Sequence, residues 1–251
     1  MQKELIGKVA LVTGGSRGLG AAIAEALAEN GADVAISYVA SREKAEAVVE
    51  KLRAKGARAI AIRSDQADLS AARPLIESVM AEFGRLDILV NNAAIAVQGK
   101  LVDDYELNAD ELDHQWHVNV LGAVATTRAA ARRLSDGGRI IFIGSGIASR
   151  VAIPGVADYA GTKAAIAGYA KGVGRDLGPR NITVNIVQPG IMPTDMAAEV
   201  AHNVPETMMD LHAIRRIATL EEVAATVCFL AGPNASYLSG TVLDVAGGYQ
   251  I

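Results

Sequence analysis

The chain has 251 residues, with 24 Lys+Arg against 28 Asp+Glu for a formal charge of −4, and is 51% hydrophobic but only 4% aromatic. That length and apolar content suit one large domain with a buried core, residues 1–251, and exclude a disordered chain. One cysteine excludes an internal disulfide and any multi-cysteine metal site, and the weakly acidic, aromatic-poor composition gives no footprint for nucleic acid.

Val9–Val12 reads as a short strand running into a glycine-rich turn, and Ala21–Ala28 as a helix stopped by Asn30-Gly31. Val34–Tyr38 is a strand, and Ser41 can cap a helix to Lys55, where Gly56 ends it. Ala59–Ile62 is a strand, and Asp68–Phe83 a helix in which Pro74 must sit near the start. Ile88–Val90 is a strand. Asn108, with Glu111 three residues on, resembles a capping box for a long helix through Leu134. Ile140–Ile143 is a strand, Ala157–Leu177 a helix, Ile182–Val187 a strand closed by Pro189-Gly190, Leu220–Leu230 a helix and Val242–Val245 a last strand.

The uncharged stretch Val223–Leu243 is cut by Gly232-Pro233-Asn234 and reads as a buried helix, turn and strand, not a membrane span. Lys3, Glu4 and Lys8 around a short apolar run show no signal peptide, so the expectation is a cytoplasmic protein without a membrane partner. The alternation predicts an α/β fold: one doubly wound parallel sheet, Rossmann-like, with helices on both faces. Ligands of such sheets bind beyond the carboxyl ends of the strands.

After the first strand, Thr13 to Gly20 place Gly14, Gly18 and Gly20 around Ser16, Arg17 and Leu19. Glycines there let a backbone approach a pyrophosphate, and the following helix N-terminus favours its charge. The end of the second strand, Ser37-Tyr38-Val39-Ala40-Ser41-Arg42, has no acid to hold an adenosine ribose and repel a 2′-phosphate. Arg17 and Arg42 can pair with that phosphate and Ser37 and Ser41 can donate to it, so NADP(H) is favoured over NAD(H).

Tyr159 and Lys163 stand four apart on one helix face. A neighbouring ammonium stabilises a phenolate and lowers its pKa, which a Tyr needs for acid–base work near neutrality. Ser145 follows the Ile140–Ile143 strand, where its hydroxyl can bond a substrate carbonyl. Asn119 lies between two valines in the long helix, and Asn91-Asn92-Ala93-Ala94 follow the Ile88–Val90 strand.

With these residues together, and with Asp65 and Pro189-Gly190, the chain resembles the short-chain dehydrogenase/reductase family along its whole length, closest in flavour to 3-oxoacyl-thioester reductases and related ketone reductases. The resemblance implies that Tyr159 is the general acid/base, that Lys163 binds the nicotinamide ribose and lowers the Tyr159 pKa, that Ser145 positions the carbonyl, and that Asn119 holds a water in a proton relay toward Lys163. It also implies that Asp65 and Gln66 face the adenine, that Asn92, Ala93 and Ala94 line the cofactor, and that Pro189, Gly190, Ile191 and Thr194 hold the nicotinamide. The substrate is then a small-molecule ketone or alcohol, under a lid at about 191–215 containing Met192, Met196, Met208 and Met209, and the assembly a homotetramer.

The chain departs from the family pattern at Ala94, where glycine is usual, and in Ser145 to Tyr159, one residue longer than usual, which keeps Ser149 as a second candidate for the Ser145 role. No metal is expected: His114 and His117 lack partners and read as helix-packing or subunit-contact residues. Trp116 reads as an interface or core aromatic and Cys228 as a small apolar filler. The alternative reading is a regulator on the same fold that binds a cyclic dinucleotide, because Gly178-Pro179-Arg180 and Gln188-Pro189-Gly190 look like segments of relatives that bind cyclic-di-GMP.

Overall fold

The computed structural model describes residues 3–193 and 206–251; Thr194 and Met196 lie outside them. Seven parallel strands form one sheet in the order β3-β2-β1-β4-β5-β6-β7. They are β1 (Val9–Val12), β2 (Asp33–Tyr38), β3 (Ala59–Arg63), β4 (Leu86–Asn91), β5 (Leu134–Ile143), β6 (Thr183–Pro189) and β7 (Val242–Val245). The inner strands are apolar at every second residue on both faces, which is why they read as continuous apolar runs. Ala10, Val12, Ile88 and Val90 face one core, with α1 (Gly18–Glu29), α2 (Arg42–Ala54) and α7 (Leu220–Ala231). Leu11, Leu89, Ile140 and Phe142 face the other, with α3 (Ala72–Phe83), α5 (Ala123–Ala131) and α6 (Ala157–Leu177). Each such fully buried Leu or Ile contributes about 1.5–3 kcal/mol relative to exposure.

The helix ends follow local chemistry. Thr219 and Glu222 close a reciprocal capping box at the start of α7, and a bidentate Arg216 holds the Glu222 carboxyl down to about 2. Asn108 accepts the Glu111 N–H at 3.4 Å, one half of the expected box. Gly84, at φ +75°, ends α3 in the left-handed conformation that glycine adopts without strain. Pro74 falls in the first turn of α3, behind a 3-10 turn at Leu69–Ala71, so it costs no interior hydrogen bond.

The long helix expected through Leu134 is corrected in two places. It is α4 (Ala109–Trp116), a π turn over His117–Gly122 and then α5. It also stops at Ala131, and Leu134 begins β5 instead, paired with Leu86 ahead of a register shift between Leu86 and Ile88. The strand order reverses direction between β1 and β4, so the ends of these two strands open a crevice at the switch point.

Candidate active site

A cleft of about 710 Å³ lies at that crevice, within the range of small-molecule sites. Its floor is a cradle that side chains would fill. Gly14 sits at φ +66°, and a Cβ there would come 2.9 Å from the Ala93 Cα; a Cβ on Gly20 would come 2.4 Å from the Gly14 carbonyl oxygen. The neighbouring strand ends stitch the cradle shut. Thr13 Oγ1 accepts the N–H groups of Asn92 and Ala93, each at 3.0 Å, and Asn92 Nδ2 donates to the carbonyls of Thr13 and Gly14. The N-cap of α1, Arg17, makes no side-chain cap bond and no acid stands in the first turn, so the helix presents amides to an anion. These features fit a pyrophosphate.

Gly14, Ser16, Arg17, Gly18, Leu19 and Gly20 all line the cleft, as do Ser37, Tyr38, Ser41, Asp65, Gln66, Asn92, Ala93, Ala94, Pro189 and Gly190. Gln66 is buried, and its Nε2 has no partner among the described residues, a donor suited to a ring nitrogen at the adenine end. Asp65 turns an oxygen onto the Ala67 N–H at 2.9 Å. Ser37 is buried beneath the glycine turn and accepts the Gly14 N–H at 3.2 Å, so it serves the cradle first. Ser41 is the N-cap of α2 and makes no cap bond. Two expected residues stand elsewhere. Arg42 is outside the cleft wall, exposed and 4.0 Å from Glu46, because the i, i+4 pair along α2 draws it there. Ile191 is also off the wall, its carbonyl accepting the Ala218 N–H at 2.9 Å.

At the other end Ser145, Tyr159 and Lys163 converge. Ser145 has extended backbone after β5, accepts the Ile147 N–H at 3.4 Å, and stands beside Tyr159, where its hydroxyl pulls the phenol pKa down. Ser149 instead donates to Gln188 Oε1 at 3.0 Å, which leaves Ser145 as the serine against the phenol. Lys163 is buried, donates to the Ile143 carbonyl at 3.1 Å and sits 5.7 Å from the Tyr159 ring centroid. Burial pushes its pKa down to about 8. Burial pushes the phenol up, and the opposing downward pull comes from the Ser145 hydroxyl.

Asn119 does not line the cleft. Its Oδ1 accepts the Ile95 N–H at 2.8 Å, and its Nδ2 donates to the Ile95 carbonyl at 2.9 Å and to Thr162 Oγ1 at 3.2 Å. Its carboxamide therefore joins the loop after β4 to α6. The π turn shifts the backbone bonding here: Ala123 donates its N–H to Val120, not to Asn119 four residues back.

The sequence reading missed Ile95, Ala96, His114, Val118, Ile143 and Gly144 as cleft residues. Two signals pointed to them: Ile143 and Gly144 stand at the end of β5 and Ile95 and Ala96 in the loop after β4, and His114 and Val118 are four residues apart. The two segments singled out for a cyclic dinucleotide stand at opposite ends of β6: Gly178–Arg180 precedes the strand and Gln188-Pro189 are its last two residues, about 20 Å apart along it. The Arg180 guanidinium is taken up by Asp136 and the carbonyls of Ala131 and Leu134.

A family model described as enoyl-(acyl carrier protein) reductase matches residues 14–250. Versicolorin reductase 1 of Aspergillus parasiticus is 41% identical over 98% of this chain and 97% of its own. A cyclic-di-GMP-binding biofilm dispersal mediator protein of Escherichia coli is 40% identical over 97% of each. The crystal structure of a short-chain dehydrogenase from Burkholderia cenocepacia in complex with NADP superposes with a TM-score of 0.92 at 46% identity, covering 99% of this chain and 100% of that one.

Proposed function

The chain belongs to the short-chain dehydrogenase/reductase family, and from that premise we propose that it is an NADP(H)-dependent oxidoreductase that interconverts a ketone and a secondary alcohol. The observation that carries the reading is the Ser145–Tyr159 hydroxyl pair beside buried Lys163, at the end of a cleft that begins in the glycine cradle. Bound NADPH supplies the hydride to the carbonyl carbon. The residues do the rest. Ser145 donates a hydrogen bond to the substrate oxygen, and Tyr159 delivers its proton there as charge develops. Lys163 holds the nicotinamide ribose and supplies positive charge in the same dry pocket, where charge acts strongly. Asn119 holds the relay water that returns a proton towards Lys163.

At the adenine end, Asp65 and Gln66 face the base, and Arg17 with Ser41 takes the 2′-phosphate. The complex of the Burkholderia cenocepacia relative with NADP supports this cofactor. A small ketone or a 3-oxoacyl compound is the substrate, and the versicolorin reductase relationship supports a carbonyl reductase of this kind. Pro189 and Gly190 stand at the nicotinamide end, and residues 1–251 make a single unit. The protein is a cytoplasmic homotetramer. Exposed Gly168 and Gly172 on α6, with open space where a Cβ would stand, support close approach of a neighbouring helix.

The test is a panel of ketones with NADPH, followed by absorbance at the reduced nicotinamide band. NADPH consumption that stops in Tyr159→Phe is expected. The second reading, a cyclic-dinucleotide-binding regulator, is motivated by the name of the Escherichia coli relative. It takes over if no ketone is reduced while cyclic-di-GMP binds in calorimetry. Light scattering that gives a stable monomer overturns the tetramer.

A further inference from the structure

The single tryptophan of the chain reaches the turn that carries Tyr159. Trp116, at the end of α4, donates its indole N–H to the Asp158 carboxylate at 2.8 Å. Asp158 immediately precedes Tyr159 in the first turn of α6. The indole also covers Gly161, where a Cβ would come 3.1 Å from the ring. That turn has little else to hold it. Its N-cap, Val156, offers no side-chain acceptor to the free amides, and irregular chain over 149–156 leads into it.

A second strap runs beside the first. Asn119, one turn on from Trp116, donates to Thr162 Oγ1, which donates to the Tyr159 carbonyl at 2.8 Å. The same stretch fixes the opposite wall of the cleft, since Gln115 accepts the Val97 N–H at 2.6 Å and Asn119 pairs both ways with Ile95. Both sides of the reacting end therefore hang from residues 115–119.

We propose that Trp116 is a positioning residue for the reaction: its bond to Asp158 ties the start of α6 to α4 and sets where the Tyr159 hydroxyl stands against Ser145. The role rests on the reading of Tyr159 as proton donor. An indole N–H bonded to a carboxylate is a charge-assisted bond and is stronger than a neutral one. A proton donor misplaced by about 1 Å loses on the order of a hundredfold in rate.

The test compares Trp116→Phe, Asp158→Ala, Asp158→Asn and the Trp116→Phe/Asp158→Ala pair. Three quantities are read in each: kcat, NADPH affinity, and amide hydrogen exchange over 157–163 measured by mass spectrometry. Trp116→Phe and Asp158→Ala are each expected to lower kcat roughly 10- to 100-fold, leave the NADPH Kd unchanged and speed exchange in that segment. The double variant should be no worse than the poorer single one, as for two partners of one bond. Asp158→Asn keeps an oxygen acceptor for the indole and should restore most of kcat and of the protection.

Unchanged kcat in both single variants, with the parent active, overturns the role even if melting temperatures fall. Unchanged exchange overturns it as well. Should Trp116→Phe fail to fold, the contrast between Asp158→Ala and Asp158→Asn carries the same decision. A parent that reduces no ketone counts against the reaction itself; the exchange contrast then decides the tie between α4 and α6 separately.

Discussion

The cradle around β1 and β4 and the cluster on α4–α6 are built on different principles. The cradle is defined by space. Gly14 and Gly20 leave room that a methyl group would close, and the bonds that hold it join strand ends already fixed by the sheet. The catalytic cluster is defined by side chains that reach across the fold. Asn119, Trp116 and Lys163 each bond a group on another element, at sequence separations of 20 to 43 residues. A change in the cradle should therefore strike binding, and a change at Tyr159 or in the straps that hold it should strike turnover with binding preserved.

The sharpest break in that comparison is Tyr159→Phe. Removing a general acid costs about 10²–10⁴-fold in kcat, and here the NADPH Kd should stay within about twofold of the parent, because the ring still fills its place. Single-turnover kinetics and a fluorescence titration of NADPH give the two numbers. Retention of more than a small fraction of turnover would remove Tyr159 from its role.

Lys163 comes next, through pH. Its folded-state value of about 8 lies below the ordinary 10.5. The unfolded chain thus holds the proton more tightly, and stability rises with pH between these values. The cost of burying the ammonium is in full force below about 8 and fades by 10.5. Against Lys163→Met, which does not titrate, the parent should gain about 3 kcal/mol over that window, read by denaturant unfolding at several pH values. Ketone reduction should fall as pH rises through about 8, where the folded chain loses the ammonium. A flat stability difference would mean that the amine keeps its proton in the folded chain up to the ordinary 10.5, so that burial does not lower its pKa.

The difference between the two regions also explains what the sequence could reveal. The cradle and the strands were legible because local rules make them: an apolar run, a glycine turn and a helix start follow one another within residues 9–29. Catalytic residue types were legible too, but not their bonds. Nothing local distinguishes the π turn at 117–122 from a continuous helix, since the apolar spacing is nearly the same. Leu134 continues a helical pattern, yet pairing with Leu86 takes it into β5, a tertiary effect that overrides propensity. Two signals were local and were passed over. Thr219 and Glu222 have capping-box spacing, and Glu46 stands four residues beyond Arg42, where it competes for that guanidinium.

Within the cradle, Gly20→Ala should do the most damage. Its Cβ would press within 2.4 Å of the Gly14 carbonyl, which is backbone, and 2.5 Å of Asn92 Nδ2, which is held by its bonds to the Thr13 and Gly14 carbonyls. Overpacking of this kind costs about 1–3 kcal/mol, so NADPH affinity should fall roughly 10- to 100-fold. At saturating NADPH, kcat should change far less. Calorimetry with NADPH, set beside kcat at high cofactor, measures both. A loss confined to kcat would mean that the cradle and the cluster are not separable.

The smallest effect separates two jobs inside the cofactor end. Ser37 accepts the Gly14 N–H from beneath the turn, whereas Ser41 stands at the uncapped start of α2 with no cap bond of its own. Ser37→Ala removes one neutral hydrogen bond, worth about 0.5–1.5 kcal/mol. Because the bond supports the turn itself, NADPH and NADH should both weaken by the same few-fold factor. Ser41→Ala should lower NADPH affinity by a similar factor and leave NADH untouched, because only NADPH carries the 2′-phosphate that a hydroxyl at that helix start can bond. The ratio of the two Kd values in each variant is the measurement. If Ser37→Ala shifts the ratio and Ser41→Ala does not, the phosphate is read from under the glycine turn, and the division between a cradle made of space and a recognition edge made of side chains must be redrawn at Ser37.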